Sequence, residues 1–450
     1  MKHGYFGTRL GFYFAALGAA LGLGNLWRFP YVVYENGGGA FVVLYFAILF
    51  LVGLPMIVAE LSVGKTTRSS SVMAFQKMAA SHRLSMVGVL SPVLCLFVLS
   101  SYAVVSGWVL YFFLSFLTAN ILASPIEATK TLGLLQDSAG LQIALSFLHI
   151  CGVTVIVARG VQLGIERSVG MLMPILVALV FVLCAKSLSL DHVMDSLKFF
   201  LYPDFSRLRL SSVGRALGQA LFTLGIGFGS MVTFGSYLNQ RVYVPFAAFR
   251  VVTLDGLLSL FAGILIFPLI QWTRLTPHGP DLLFRTVPVW LGSIVGGKTY
   301  GAGFFLCLYL AALGASIALL EALVANVQEI WGKTRVSASL LVGAVCFILT
   351  LVPALSSTEF EWVRFRGRGL FEILDFMLMD LFLPLVAFLF CVVLGRRLEG
   401  PEIKQDLLVT AVPQSRRLYG NWVVMIRWVI PSFIALAVLL QAYEFLMALV

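Results

Sequence analysis

The sequence predicts an all-α polytopic membrane protein, on three observations. Sixty per cent of the 450 residues are hydrophobic and only 12% are charged, whereas a soluble domain carries about 25% charged residues. Apolar runs long enough to cross a bilayer, about 20 residues, recur along the chain, and the mean hydropathy is +0.97. Two of these runs are broken at their centres by glycines.

Eleven runs can be placed, at about 10–34, 38–64, 86–122, 141–158, 168–185, 214–238, 247–272, 300–330, 337–355, 371–395 and 422–448. The first follows a short basic N-terminus and is long and interrupted, so it reads as a span and not as a cleaved leader. Its centre is Gly22-Leu23-Gly24-Asn25, with Arg28 and Pro30 just beyond. In hydrocarbon every backbone N–H and C=O needs a partner, so a broken helix is tolerated only where protein or a water-filled cavity supplies one. The second run ends in Ala59-Glu60-Leu61-Ser62-Val63-Gly64-Lys65-Thr66. That segment looks like a phosphate loop, but the first glycine is missing and it closes an apolar helix instead of following a strand.

The sixth run is broken too. Thr223-Leu224-Gly225-Ile226-Gly227-Phe228-Gly229-Ser230 holds three glycines in eight residues, too many for a continuous helix. The same defect in spans 1 and 6 is expected of two five-helix inverted repeats with a site between them. The chain is therefore read as one transporter domain, 1–450, with repeats at about 10–185 and 214–395 and an additional helix at about 422–448.

With the N-terminus inside, 17 Lys and Arg fall on the inner side and 12 on the outer, and this bias sets the orientation. Segments 186–213 and 273–299 are then extracellular. The net charge of +10 suits anionic lipid headgroups, and no basic run interleaved with aromatics suggests nucleic acid. The six cysteines all lie in apolar runs without CxxC spacing, as small core side chains do. No catalytic or nucleotide motif appears, so neither an enzyme nor an organic cofactor is expected.

Specific motifs add a family. Arg9-Leu10-Gly11-Phe12, Gly22 through Pro30 (GLGNLWRFP) and Glu35 through Phe41 (ENGGGAF) resemble the first-helix signature of the neurotransmitter:sodium symporter family. Gly53-Leu54-Pro55 with Glu60, Tyr102 ahead of Gly107-Trp108, Gly164 through Arg167, Gly218 through Leu224 and Ser316 through Glu321 follow in the family's order. The resemblance covers residues 5 to about 395. It implies a LeuT-like fold, a 5+5 inverted repeat with broken helices 1 and 6, here with eleven transmembrane helices. It also implies a sodium-coupled amino-acid symporter working by alternating access in the bacterial inner (plasma) membrane, as a monomer or weak homodimer.

The resemblance also implies roles. A first sodium site would use Ala20, Asn25, Thr223 and Asp255, the last standing where the family usually has Asn. In chloride-dependent members an anion lies among positions matching Tyr45, Gln219, Thr223, Asp255 and Ser259, so a carboxylate at 255 points to chloride independence. A second sodium site would use carbonyls of Gly18, Leu21 and Ala311, but its two hydroxyl positions here are Gly314 and Ala315. The substrate carboxylate would meet the N–H groups of Leu23 and Gly24 and the Tyr102 hydroxyl, with the ammonium near Ala20, Phe222 and Thr223. Val98, Phe222, Gly225, Phe228, Ala315 and Leu319 would line the side-chain end, which suits a large apolar or aromatic amino acid. Gly22 replaces the Asp of amine carriers. Arg28 and Asp375 would pair in an outer gate. Tyr237, Glu321 and Glu329 would belong to an inner one, with His3, Lys2 or Arg9 as partner to Glu329. The altered second sodium site leaves a proton-coupled or sodium-independent exchanger as the alternative, with a non-transporting amino-acid sensor as the alternative from another class.

Overall fold

The computed structural model describes residues 5–20, 22–78, 82–118, 125–190, 193–273, 281–365, 368–397, 403–404, 407 and 414–447. Leu21, Lys2 and His3 lie outside the described residues. The fold is helical, apart from a two-residue antiparallel pairing of Arg364–Phe365 with Arg368–Gly369.

Among the described residues, ten helices are long and apolar enough to cross a membrane. We number the spans in chain order. They are span 1 (Leu10–Glu35), span 2 (Gly39–Thr67), span 3 (Val87–Thr118), span 4 (Ala139–Ala158) and span 5 (Val161–Ser187). Span 6 is not among the ten, because it consists of two half-helices, Ser211–Thr223 and Ser230–Ser236. Then come span 7 (Val244–Ile270), span 8 (Gly297–Trp331), span 9 (Arg335–Ala354), span 10 (Leu370–Leu394) and span 11 (Arg417–Tyr443).

Several boundaries move from the expected ones. Span 5 starts at Val161 and not near 168, because a π-helical turn, Val161–Glu166, precedes its α-helical part. The long segments between spans 5 and 6 and between spans 7 and 8 hold helices of their own, Val193–Leu201 and Asp281–Ser293. The phosphate-loop look-alike lies within the helix Leu54–Thr67, with Lys65 Nζ donating to the Val242 carbonyl at 2.9 Å. All six cysteines are free.

The packing places the two breaks side by side. Span 3 and span 8 make the most extensive contact, and span 1 lies against span 8. The second half of span 6 packs on span 2, and span 11 packs on span 10 and on the first half of span 6. Spans 1, 2, 6 and 7 thus surround the breaks from one side, and spans 3 and 8 from the other.

Candidate substrate and ion site

The site begins with backbone that cannot stay helical. Gly225, Gly227 and Gly229 have φ of +67°, +86° and +76°, a region that residues with a Cβ avoid. The freed polar groups find protein partners, as a break in a membrane helix requires. Gly227 N–H donates to Glu60 Oε1 at 2.8 Å, and its carbonyl accepts from Ser91 Oγ at 2.9 Å. The break of span 1 is satisfied in the same way. Leu23 N–H donates to Tyr102 Oη at 2.7 Å, and the Gly24 carbonyl accepts from Gln219 Nε2 at 2.9 Å. Helical structure then resumes as a π-helical turn, Gly24–Arg28.

Between the breaks lies a small cavity. Its walls include Ala20, Gly24, Tyr102, Phe222, Thr223, Gly225, Phe228, Ala315 and Leu319, all named above as substrate contacts. Ala19, Gly22, Ser230 and Ala318 line it as well. Leu23 and Val98 do not. Leu23 meets the site only through its N–H, and Val98 is buried one turn below Tyr102 on span 3. Phe222 and Phe228 meet edge to face at 6.3 Å, and the Tyr102 ring lies 6.5 Å from Phe222. The Tyr102 oxygen, which already accepts from Leu23, keeps a proton to donate.

A Cβ on Gly22 would stand 2.8 Å from the Ala315 Cβ and 2.9 Å from Tyr102 Oη. The pocket is closed around a bare backbone here, so no side chain fits where the amine carriers place an aspartate. Ser230 was not legible beforehand. Its hydroxyl donates to the Gly225 carbonyl at 3.0 Å and stitches the glycine turn shut.

Beside the cavity, the four residues proposed for the first sodium come together. Asn25 Nδ2 donates to Asp255 Oδ1 at 2.6 Å and lies 3.4 Å from the Ala20 carbonyl. Tyr45 Oη lies 3.4 Å from Thr223 Oγ1, 3.4 Å from Asp255 Oδ2 and 3.1 Å from Ser259 Oγ. Thr223 Oγ1 also back-bonds to the Gln219 carbonyl at 3.1 Å. Gln219 turns away from this group, since Arg28 Nη1 donates to its Oε1 at 2.9 Å. Asn25 Oδ1 is buried with no hydrogen-bond partner in the structure. An orphaned buried oxygen beside a carboxylate suits a hard cation, which takes oxygen ligands.

Comparison with known proteins decides the family. The model of the sodium:neurotransmitter symporter family matches residues 3–130 and 131–447. An uncharacterized sodium-dependent transporter of Bacillus subtilis is 30% identical, covering 96% of each chain. One of Haemophilus influenzae is 30% identical over 95% of each. The crystal structure of MhsT in complex with L-phenylalanine matches with a TM-score of 0.90 at 32% identity, over 97% of this chain and 99% of that one. The chain belongs to the sodium:neurotransmitter symporter family. It is a sodium-dependent, multi-pass membrane transporter of LeuT-like fold that binds a small-molecule substrate, and it is not an enzyme.

Arg28 and Asp375, the pair expected at an outer gate, lie together in the symporter, but a further acid joins them. Arg28 is fully buried, and its Nε lies 3.7 Å from Asp375 Oδ2, but its short contact is Nη2 to Asp380 Oδ1 at 2.9 Å. Arg215 Nη1 reaches the other oxygen of Asp380 at 2.6 Å. Tyr31 Oη donates to Asp375 Oδ2 at 3.3 Å.

On the opposite side, Tyr237 Oη donates to Glu321 Oε1 at 2.6 Å, and Arg335 of span 9 forms an ion pair with Glu321. Arg335 had no role in the sequence reading. Glu329 accepts from Ser70 N–H at 2.6 Å, and also from the Ser70 hydroxyl. Its placement is thus at the start of the helix Ser71–Met78, where a carboxylate suits the unpaired N–H groups. Glu166, noted before only as part of a motif, binds the N-terminal segment through Gly7 N–H at 2.8 Å and Thr8 Oγ1 at 2.6 Å.

At the second sodium position, Gly18 and Gly314 meet backbone to backbone. A Cβ on Gly314 would lie 2.9 Å from Met173 Cε and 3.1 Å from the Gly18 carbonyl oxygen. Ala311 is buried on span 8, one turn before Ala315.

Proposed function

We propose that this symporter imports a large apolar or aromatic amino acid with sodium and without chloride. The observation that carries this reading is the buried Asn25–Asp255 pair set beside a small, aromatic-walled cavity. Sodium, a co-transported substrate here, binds among the Ala20 carbonyl, Asn25 Oδ1, Thr223 and Asp255. The amino-acid carboxylate lies at the span 1 break and takes the Tyr102 proton. Its side chain lies between Phe222, Phe228 and Leu319, and the bare positions Gly225 and Ala315 leave room for a ring. MhsT, seen with L-phenylalanine, supports the aromatic end of this range.

Asp255 supplies the fixed negative charge, so no anion is needed beside Tyr45 and Ser259. Only one sodium is coupled, because the close Gly18–Gly314 approach leaves span 8 no hydroxyl at the second position. The protein lies in a bacterial inner membrane with its N-terminus inside, and spans 1, 2, 6 and 7 rock against spans 3, 4, 8 and 9.

The test is reconstitution in liposomes under separately imposed sodium and proton gradients, with labelled amino acids. Concentrative uptake of phenylalanine driven by sodium, equal with and without chloride, is expected. No uptake under sodium overturns the reading. Uptake under protons alone transfers it to the proton-coupled alternative, for which the bare Gly314 position is the motive.

A further inference from the structure

We propose that Asp380 is the residue on which the outer gate closes, and that Arg215 is the gate's second guanidinium. The inference rests on the transporter reading above. Each oxygen of the Asp380 carboxylate holds one arginine. Oδ1 takes Arg28 Nη2 at 2.9 Å, and Oδ2 takes Arg215 Nη1 at 2.6 Å. Arg28 sits in the turn that follows the break of span 1, and Arg215 on the first half of span 6. One carboxylate on span 10 therefore ties both broken helices together above the cavity. Arg28 in turn covers the cavity wall, its guanidinium carbon 5.9 Å from the Phe222 ring centre.

Local backbone explains how two carboxylates reach one gate. Residues five apart on an α-helix point about 140° away from each other. Here Phe376–Phe382 forms a π-helical turn that starts directly after Asp375. Its wider i→i+5 bonding brings Asp380 round to the side of Asp375. The two acids then differ in setting. Asp380 is fully buried, and the Asp375 side chain is 17% exposed.

Span 11 braces the same point. Turned with its nitrogen toward the Asp380 carbonyl (2.5 Å), the Gln441 amide sets its oxygen 3.3 Å from the Arg215 backbone nitrogen. The node holds two guanidiniums and the carboxylates Asp375 and Asp380, with the charge of Glu35 also acting on Arg215. Removing the buried charge of Asp380 takes from Arg28 and Arg215 the carboxylate they share, and an ion pair broken on one side is strongly unfavourable. The closed gate is the state that loses.

The experiment reads the gate without depending on which amino acid is carried. Ala318, which lines the cavity, is replaced by cysteine as a reporter in the full-length protein in liposomes. Its labelling by an impermeant thiol reagent from outside in sodium is measured, less the labelling of protein without the reporter. Uptake of labelled L-phenylalanine is measured in parallel without the reporter. Asp380→Asn is expected to speed labelling and lower uptake, each about tenfold or more. Asp380→Asn with Arg215→Gln is expected to label within about threefold of Asp380→Asn alone, because both substitutions remove the same tie. Arg215→Gln alone frees the first half of span 6 and speeds labelling, by less than Asp380→Asn because Arg28 keeps Asp380, which tests the idea even if Asp380→Asn does not fold.

Wild-type labelling in Asp380→Asn, or a double variant in which the two effects simply add, overturns the proposal. So does Arg215→Gln labelling at the wild-type rate or slower. Wild-type protein that carries no phenylalanine counts against the substrate reading alone, since the labelling rates still report the gate.

Discussion

Asn25 and Asp255 face each other at 2.6 Å, amide nitrogen to carboxylate, and this pairing turns Asn25 Oδ1 toward a buried position with no hydrogen bond. In the proposed sodium site the carboxylate would do two things at once. It would fix which atom of Asn25 is offered to the ion, and it would supply the charge.

Asp255→Asn removes both. The half-saturating sodium concentration is expected to rise about tenfold, a change of about 1.4 kcal/mol. Uptake in gluconate should fall to background and return in part when chloride is added. Sodium-dependent phenylalanine uptake measured with and without chloride checks this. Uptake by the variant that ignores chloride would contradict the assigned role.

Tyr102→Phe leaves the buried Leu23 N–H without its acceptor and takes a donor from the substrate carboxylate. An unmade buried hydrogen bond costs about 1–3 kcal/mol, so affinity should fall by about 5- to 150-fold. Equilibrium binding of labelled phenylalanine to the purified protein measures it, and unchanged affinity would remove Tyr102 from the site.

Glu60 is 1% exposed and holds the Gly227 N–H at the span 6 break. Glu60→Gln keeps an oxygen acceptor and should shift stability by less than about 1 kcal/mol. Glu60→Leu strands the N–H and should lower stability by about 1–3 kcal/mol. Thermal unfolding in detergent separates the two, and equal melting of both variants would show that the bond contributes little.

Gly314→Thr restores a hydroxyl but places its Cβ 3.1 Å from the Gly18 carbonyl oxygen and 3.2 Å from the Gly18 Cα, backbone that cannot swing aside as the Met173 methyl can. Overpacking of this kind costs about 1–3 kcal/mol, so the variant should melt lower and still couple one sodium. Flux-ratio measurements in liposomes count the ions. A second coupled sodium would show that packing was not what removed the site.

The sequence made the centre of the site legible because the centre is local. Gly22 through Asn25 and Gly225 through Gly229 announce their breaks by composition, and the order of motifs places Tyr102 and Asp255 around them. The partners that were missed act over long chain separations. Ser91 and Ser230 are ordinary serines until the glycine turn brings backbone oxygens to them. Arg335 reaches Glu321 only because spans 8 and 9 fold back on each other. Asp380 was hidden for a different reason. Read at α-helical spacing it faces away from Asp375, and only the π-helical turn brings both acids to Arg28. Glu329 adds a contact that the motifs do not mark, with the Ser70 N–H at the start of a short helix.

On the proposed coupling of one sodium, the Gly18–Gly314 contact would also bound how steeply the carrier can concentrate its cargo. With one sodium per zwitterionic amino acid, a tenfold sodium gradient contributes about 1.4 kcal/mol, and a potential of 100 mV contributes about 2.3 kcal/mol for the single charge moved. Together they sustain an accumulation of roughly 500-fold. A second ion would square that ratio. On the proposed coupling, two glycines in van der Waals contact, each without a side chain, would hold the cell to a shallower internal store of the amino acid and halve the sodium that must be pumped out again for each molecule taken in.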